Sequence, residues 1–336
     1  MNTQTPRWHA VHIFLSDPQQ TESFLVDVLA PNAQKLLQEK RISQWFFIRY
    51  WQGGPHLRFR FFCSDSNLIS EVIDTLSVAA QHYKAPKALT KEEYYQQHSF
   101  DGEAQDIETL AWYSDGSVVP IDYEPEYQRY GGKHALLPNE TLFCQSSHLA
   151  SALVKATKSN IAARTSIALS LMLTTVLAYT SDTKKLRDFF FGYATYWQQY
   201  SQQNAVLFAK EMKNEALDPK QLMAVTELIQ NKSSAKEKSK AGIQQAWRNA
   251  VEGLVVDLTY IYNNGELNSP FNNDVVNHKP EPHILHILSS QIHMLNNRLS
   301  MTPSFELVLS LKLVKALNYI IKTKEEEKDN ENSLIA

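Results

Sequence analysis

The stretch "WFFIRYWQGGPHLRFRFF", residues 45–62, reads as a β-hairpin. Two runs rich in aromatic residues flank Gly53-Gly54-Pro55, the kind of punctuation that turns one strand into the next. Side chains alternate faces along a strand, so Leu57, Phe59 and Phe61 share a core face, and His56, Arg58, Arg60 and Phe62 share the other. That spacing sets Arg58 and Arg60 about 7 Å apart. On the preceding run Phe46, Ile48 and Tyr50 share a face, while Arg49 points with Trp45 and Phe47. Two readings of the arginines are open. They form the wet side of an antiparallel sheet with their stems packed on neighbours, or they form an anion site. A guanidinium fork suits a carboxylate or phosphate, and a sheet holds it better than a loop does.

Working outward, Trp8–Leu15 reads as a strand, with Val11, Ile13 and Leu15 on one face and Trp8, His12 and Phe14 on the other. Residues 21–40 carry Phe24, Leu25, Val28, Leu29, Leu36 and Leu37 at helical spacing, and Pro31 should end or kink that helix. After the hairpin, Asp65 or Ser66 can cap a helix bearing Leu68, Ile69, Val72, Ile73 and Leu76. Residues 84–140 are mixed, with a strand expected near Tyr94-Tyr95 and loops at Asp115-Gly116 and Gly131-Gly132. Beyond Leu142 the periodicity is helical, near 146–158, 161–180, 183–200, 203–214, 219–230, 239–263, 281–300 and 303–323. "NKSSAKEKSKAG" (231–242) reads as a solvated connector. Strands segregated from helices imply an α+β fold: a small antiparallel sheet in the N-terminal part packed with a predominantly helical C-terminal part. One domain is expected over residues 1–322, sheet-rich over 1–140 and helical over 141–322, with 323–336 a disordered tail.

Composition narrows the function. The 336 residues are 43% apolar and 21% charged, with a formal net charge of −3, which gives no global electrostatic case for binding nucleic acid. Two cysteines, Cys63 and Cys144, are too few for a disulfide scaffold, and no CxxC, HExxH, P-loop, GxGxxG or GxSxG occurs. Neither metal nor cofactor is expected. The N-terminus lacks the pattern of a signal peptide. The most apolar window, Ile167–Tyr179, falls short of the ~20 residues a bilayer requires. A cytoplasmic protein without membrane contact is expected.

Two further segments carry chemistry-bearing residues. In "DYEPEYQRYGG" (122–132), Glu126 precedes Arg129 by three, a spacing that pairs them if the segment is helical. The pair is either a local surface contact or a glutamate that orients an arginine toward a ligand. In "HILHILSSQIHMLNNRL" (283–299), Leu285, Leu288, Ile292, Leu295 and Leu299 form an apolar stripe, and His286, Ser290, His293 and Asn297 run along another side. A lone helical histidine is commonly a surface or core residue, and His293 as a proton-transfer group is the alternative.

In combination and in order, the Trp8 strand, "WFFIRYWQGGPHLRFRF", "EYQRYGG" and "SSQIHMLNNRL" resemble the C-terminal glutamate-elimination domain of class I lantibiotic dehydratases and its stand-alone thiopeptide-type relatives. The resemblance covers roughly Trp8 to Ile320. It implies that a separate glutamyl-tRNA-dependent enzyme esterifies Ser or Thr of a ribosomal precursor peptide with glutamate, because this chain has no room for a glutamylation domain. The domain in hand then expels glutamate to leave dehydroalanine or dehydrobutyrine. Carried over by motif, Arg58, Arg60, Arg129 and His293 are the catalytic candidates. Glu126, His56, Arg49, Asn297 and Arg298 are substrate-binding candidates, Arg49 at the flank. The family's full-length members imply a homodimer, and the precursor's leader and glutamylated core as partners. A sister branch, the pyridine synthases, joins two dehydroalanines by a formal [4+2] cycloaddition and releases the leader. In that branch the glutamate-handling arginines are eroded.

The chemistry asks for such residues. Breaking a Cα–H bond beside a peptide carbonyl builds enolate-like charge, and the leaving glutamate brings its own carboxylates. Fixed cations stabilise both. Arginines stay protonated and bind, while a histidine is the natural group to move the proton.

Overall fold

The hairpin closes in the register its alternation requires: Tyr50 lies opposite His56, Ile48 opposite Arg58 and Phe46 opposite Arg60. Gly53 and Gly54 take φ values of 91° and 108°, a region that side chains with a Cβ rarely enter. The computed structural model describes residues 5–87, 89–96, 106–158, 160–214, 216–230, 238–270 and 279–335. Its strands are β1 (Arg7–Phe14), β2 (Gln44–Tyr50), β3 (His56–Cys63) and β4 (Val118–Pro120), in one antiparallel sheet ordered β2-β3-β1-β4. The N-terminal part thus holds a small antiparallel sheet and the C-terminal part is predominantly helical, an α+β fold. The chain forms two compact units. The first comprises Met1–Glu126, Glu140–Arg164 and Asn297–Ser300, and the second Tyr127–Asn139, Thr165–Asn296 and Met301–Ala336.

In the first unit, Leu57, Phe59 and Phe61 are buried on one face of the sheet together with Val11, Ile13, Trp45 and Phe47. The arginine face is covered as well. Arg60 is only 8% exposed and His12 and His56 are buried, so the wet-face reading of the hairpin is corrected. Pro31 does not break its helix. Helix α1 (Pro18–Phe24), a π-helical turn (Leu25–Leu29) and α2 (Ala30–Gln38) run on continuously. The widened turn just before Pro31 makes room for its ring, and the Asn32 side chain donates to the Val28 carbonyl at 3.0 Å. Helix α3 (Leu68–Ala80) packs Leu68, Val72, Leu76 and Ala80 against β1 and β4.

Tyr94 and Tyr95 lie in a short helix, α4 (Lys91–Tyr95), not a strand. A reciprocal capping box between Thr90 and Glu93 starts it and outweighs the β-propensity of the tyrosines. Helix α5 (Lys133–Thr157) starts well before residue 146 because Pro138 is accommodated inside it. The neighbouring Asn139 amide donates to the Ala135 carbonyl at 2.7 Å and the Tyr130 carbonyl at 3.1 Å. The helices α6 (Ile161–Leu177), α7 (Thr183–Gln198), α8 (Gln202–Lys213), α9 (Pro219–Ile229), α10 (Lys238–Asn263), α11 (Pro280–Arg298) and α12 (Pro303–Ile335) follow. Asp182, Ser201 and Asp218 cap α7, α8 and α9 through their side chains. Within the second unit α7 packs along α12. Residues 231–237 of the expected connector lie outside the described residues. Among those described, no helix is long and apolar enough to cross a membrane.

Candidate active site

The register of the central strands assembles one candidate cluster in the first unit. His12 of β1 lies opposite Arg58 of β3, and Phe14 opposite His56. The His12 and His56 rings stack with centroids 4.8 Å apart. The His56 Nδ1 sits 2.8 Å from the Gly54 carbonyl, which can only accept, so Nδ1 carries the proton. The His56 Nε2 then accepts from Arg58 Nε at 3.2 Å. Burial, reinforced by the charges of Arg58 and Arg60, holds His56 neutral, its pKa pushed down to about 3. Burial first, then the His56, Arg58 and Arg60 charges, takes His12 down to about 2.

Half-buried Arg58 lays its guanidinium over the Tyr50 ring, 3.5 Å from the centroid. Burial lowers its pKa, opposed by Tyr50 and by the exposed Glu126. Among the described residues no carboxylate lies within ion-pair distance of Arg58. Arg60 sits 4.5 Å from the Tyr123 centroid and 5.2 Å from that of Phe46. Behind it the buried Glu140 accepts from Trp8 Nε1 at 2.9 Å. Burial raises the Glu140 pKa, opposed by hydrogen bonds from Trp8 and Tyr123 and by the charge of Arg60.

The other candidates of this unit lie elsewhere. Arg49 points to the opposite face of the sheet from Arg58 and Arg60, its register partner being Leu57. There, burial lowers its pKa to about 10, with the Glu22 charge opposing and Arg164 adding to the effect. Asn297 and Arg298 secure the outer edge of β2. Asn297 accepts from the Arg49 N–H at 2.8 Å and donates to the Arg49 carbonyl at 2.9 Å. Arg298 Nε donates to the Phe47 carbonyl at 2.8 Å, and the Phe47 N–H donates to Ser147 Oγ at 3.1 Å. These contacts satisfy the backbone groups that an edge strand leaves open.

The second unit holds Arg129 and His293. Residues 127–131 form a turn and not a helix. Gly131 and Gly132 have φ values of 85° and 94°, and a Cβ on Gly131 would fall 2.7 Å from Leu267 Cδ1. The double glycine therefore fixes the turn that presents Arg129, whose Nε donates to Ser290 Oγ at 3.3 Å. On α11, His293 Nδ1 lies 2.8 Å from Glu306 Oε1. Glu306 is fully buried in the first turn of α12 and also accepts from the Tyr193 hydroxyl and, at 3.2 Å, from Asn296 Nδ2. Trp197 packs against the imidazole, with centroids 4.9 Å apart. Burial and then the Glu306 charge hold the Tyr193 phenol well above its ordinary range. The sequence reading missed Glu306 and Tyr193. The one signal was a carboxylate inside the apolar run "FELVLSL", three residues after a helix-starting proline.

The α+β fold thus carries an arginine–imidazole sheet face in the first unit and, in the second, a half-buried histidine bonded to a buried glutamate. The chain belongs to the family described as lantibiotic biosynthesis dehydratase, C-terminal, whose model matches residues 8–317. It is a domain of the lantibiotic and thiopeptide dehydratase type, from enzymes that mature ribosomally made peptides. Three solved structures share the fold. TsrL aligns at 17% identity and TM-score 0.64 over 94% of this chain and 95% of its own. TbtD, a pyridine synthase from thiomuracin biosynthesis, aligns at 16% and 0.66 over 93% and 98%. MibB, a tRNA-dependent lantibiotic dehydratase from Microbispora sp. 107891, aligns at 17% and 0.56 over 94% of this chain and 28% of its own. No curated protein matches the chain.

Proposed function

We propose that this chain expels glutamate from glutamyl esters of Ser or Thr in a ribosomal precursor peptide. The observation that carries the reading is Arg58. A half-buried guanidinium, fixed by His56 and Tyr50, has no carboxylate within ion-pair distance among the described residues. A desolvated, immobilised cation of this kind is suited to a carboxylate brought by the substrate. Arg60 adds charge on the same sheet face. In the second unit, taken by itself, Arg129 offers a guanidinium held by Ser290, and His293 an imidazole suited to moving a proton.

A second reading, a pyridine synthase, is favoured by the structural match. The aligned region takes in 98% of TbtD and 28% of MibB, and the TM-score is higher for the synthase, 0.66 against 0.56. Retention of the arginines favours elimination, since two dehydroalanines bring no carboxylate for them to bind.

Incubating the protein with a synthetic glutamylated peptide and following its mass decides between them. Free glutamate and a dehydro-residue are expected. An unchanged glutamyl peptide, alongside a bis-dehydroalanine peptide that loses its leader, would replace the first reading with the second.

A further inference from the structure

We infer that His293 takes up the substrate proton through Nε2, and that Glu306, backed by Tyr193 and Asn296, is the positioning residue that makes it the acceptor. The inference rests on the elimination reading only for the identity of that proton.

The argument begins with donors and acceptors. An ionised carboxylate only accepts, and Glu306 is met by His293 Nδ1, the Tyr193 hydroxyl and Asn296 Nδ2. An amide NH₂ and a phenol beside a carboxylate both donate to it. With those donors in place the remaining contact is Nδ1–H donating to Oε1 at 2.8 Å. The neutral imidazole then keeps its lone pair on Nε2. That nitrogen has no hydrogen bond to any described residue, and the His293 side chain is 20% exposed. Glu306 is 0% exposed and lies at the start of α12, where the helix dipole favours negative charge. A buried carboxylate with this many donors cannot turn away from the imidazole, so the ring is held in orientation and tautomer together.

The step balances without a co-reactant. Nε2 takes the Cα proton, the C–H electron pair becomes the Cα=Cβ bond, and the Cβ–O bond breaks with its electrons leaving on the glutamate carboxylate. The imidazolium that forms is stabilised by Glu306 through the existing Nδ1–H bond.

The test is Glu306→Gln, an isosteric change whose amide can donate to Nδ1 and move the ring proton to Nε2. Loss of an orienting carboxylate without change of shape has cost about 10⁴-fold in a serine protease. We expect kcat for glutamate release to fall about 10²- to 10⁴-fold with KM nearly unchanged. In protein labelled with ring-¹⁵N histidine, the wild-type His293 resonances should report Nδ1–H, and those of Glu306→Gln should report Nε2–H. Tyr193→Phe, which removes a single donor, should keep the wild-type tautomer and lose about 10-fold in kcat, so the test survives if the glutamine variant misfolds. Wild-type-like kcat in both variants, or Nε2–H in the wild type, would overturn the inference. The tautomer readout needs no turnover. A wild type that releases no glutamate yet shows Nδ1–H would therefore fail the elimination reading and leave the Glu306 assignment standing.

Discussion

Replacing Arg58 by lysine keeps the charge and removes the geometry, which makes it the sharpest probe of the sheet face. Arg58 owes its orientation to two contacts: the Nε–H bond to His56 at 3.2 Å and the stack on Tyr50 at 3.5 Å. A lysine ammonium can take neither the in-plane Nε bond nor the planar stack, and it meets a carboxylate as a point charge. The cation–π contact is worth about 0.5–2 kcal/mol and one charge-assisted hydrogen bond about 1.5–3 kcal/mol. Those contacts hold the guanidinium in place; what lysine forfeits toward a substrate carboxylate is one charge-assisted bond, about 1.5–3 kcal/mol of transition-state stabilisation, or about 10- to 200-fold in kcat/KM. Because both contacts are made in the folded state, Arg58→Lys should also cost the fold up to about 5 kcal/mol, which the denaturant melt reads separately from kcat/KM. The assay is glutamate release from a glutamylated peptide over a range of substrate concentrations, with a denaturant melt of each variant. Arg58→Lys within about threefold of wild type, with Arg58→Ala strongly impaired, would mean that bare charge suffices. The argument from fixed geometry would then be wrong.

Stability should respond at three other places. Arg164, with no side-chain exposure, is held by Glu22, Thr157 Oγ1 and the Lys158 carbonyl, so Glu22→Gln should destabilise the fold by about 3–5 kcal/mol in urea melts, and a loss under 1 kcal/mol would contradict it. His12 and His56 stay neutral in the fold down to about 2 and 3, whereas the unfolded chain protonates them near 6.5. The unfolded state therefore binds more protons below that point, and stability should fall from about pH 6.5 toward 3 at ~1.4 kcal/mol per pH unit for each histidine. Melts of wild type and His12→Gln at pH 7 and 5.5 check this: the variant should show the shallower loss, and equal losses would refute it. Asn297→Ala strips both backbone bonds at Arg49, so about 2–4 kcal/mol should be lost and the Arg49 amide should lose hydrogen-exchange protection; unchanged protection would exclude the edge role.

Much of the fold was legible because its signals are local. The hairpin follows from period-2 alternation about a Gly-Gly-Pro turn, and α7, α8 and α9 from helical periodicity near 183–200, 203–214 and 219–230. The misreadings share a cause, which is that a partner absent from the local pattern decides the outcome. The helix expected near 146 runs back to Lys133 through Pro138, where the Asn139 amide bonds the Ala135 and Tyr130 carbonyls. The strand-like Tyr94-Tyr95 yields to a capping box centred on Thr90. The site was legible in its cations and its histidine. Its supporting residues were not, because Glu306 meets Tyr193 across 113 residues and Glu22 meets Arg164 across 142. Alternation pointed Arg49 with Trp45 and Phe47, and only the packed structure shows this to be the face away from Arg58, beside Glu22 and Arg164.

The sealed margin of β2 constrains how any peptide can be recognised there. With Phe47 and Arg49 already bonded through Ser147, Arg298 and Asn297, the main-chain rungs at these two residues are closed to an incoming strand. A guest chain on that flank would have to break charge-assisted and amide contacts first. Recognition at Phe47 and Arg49 must therefore be made by side chains, and the same closure guards that stretch of the aromatic hairpin against templating its own aggregation.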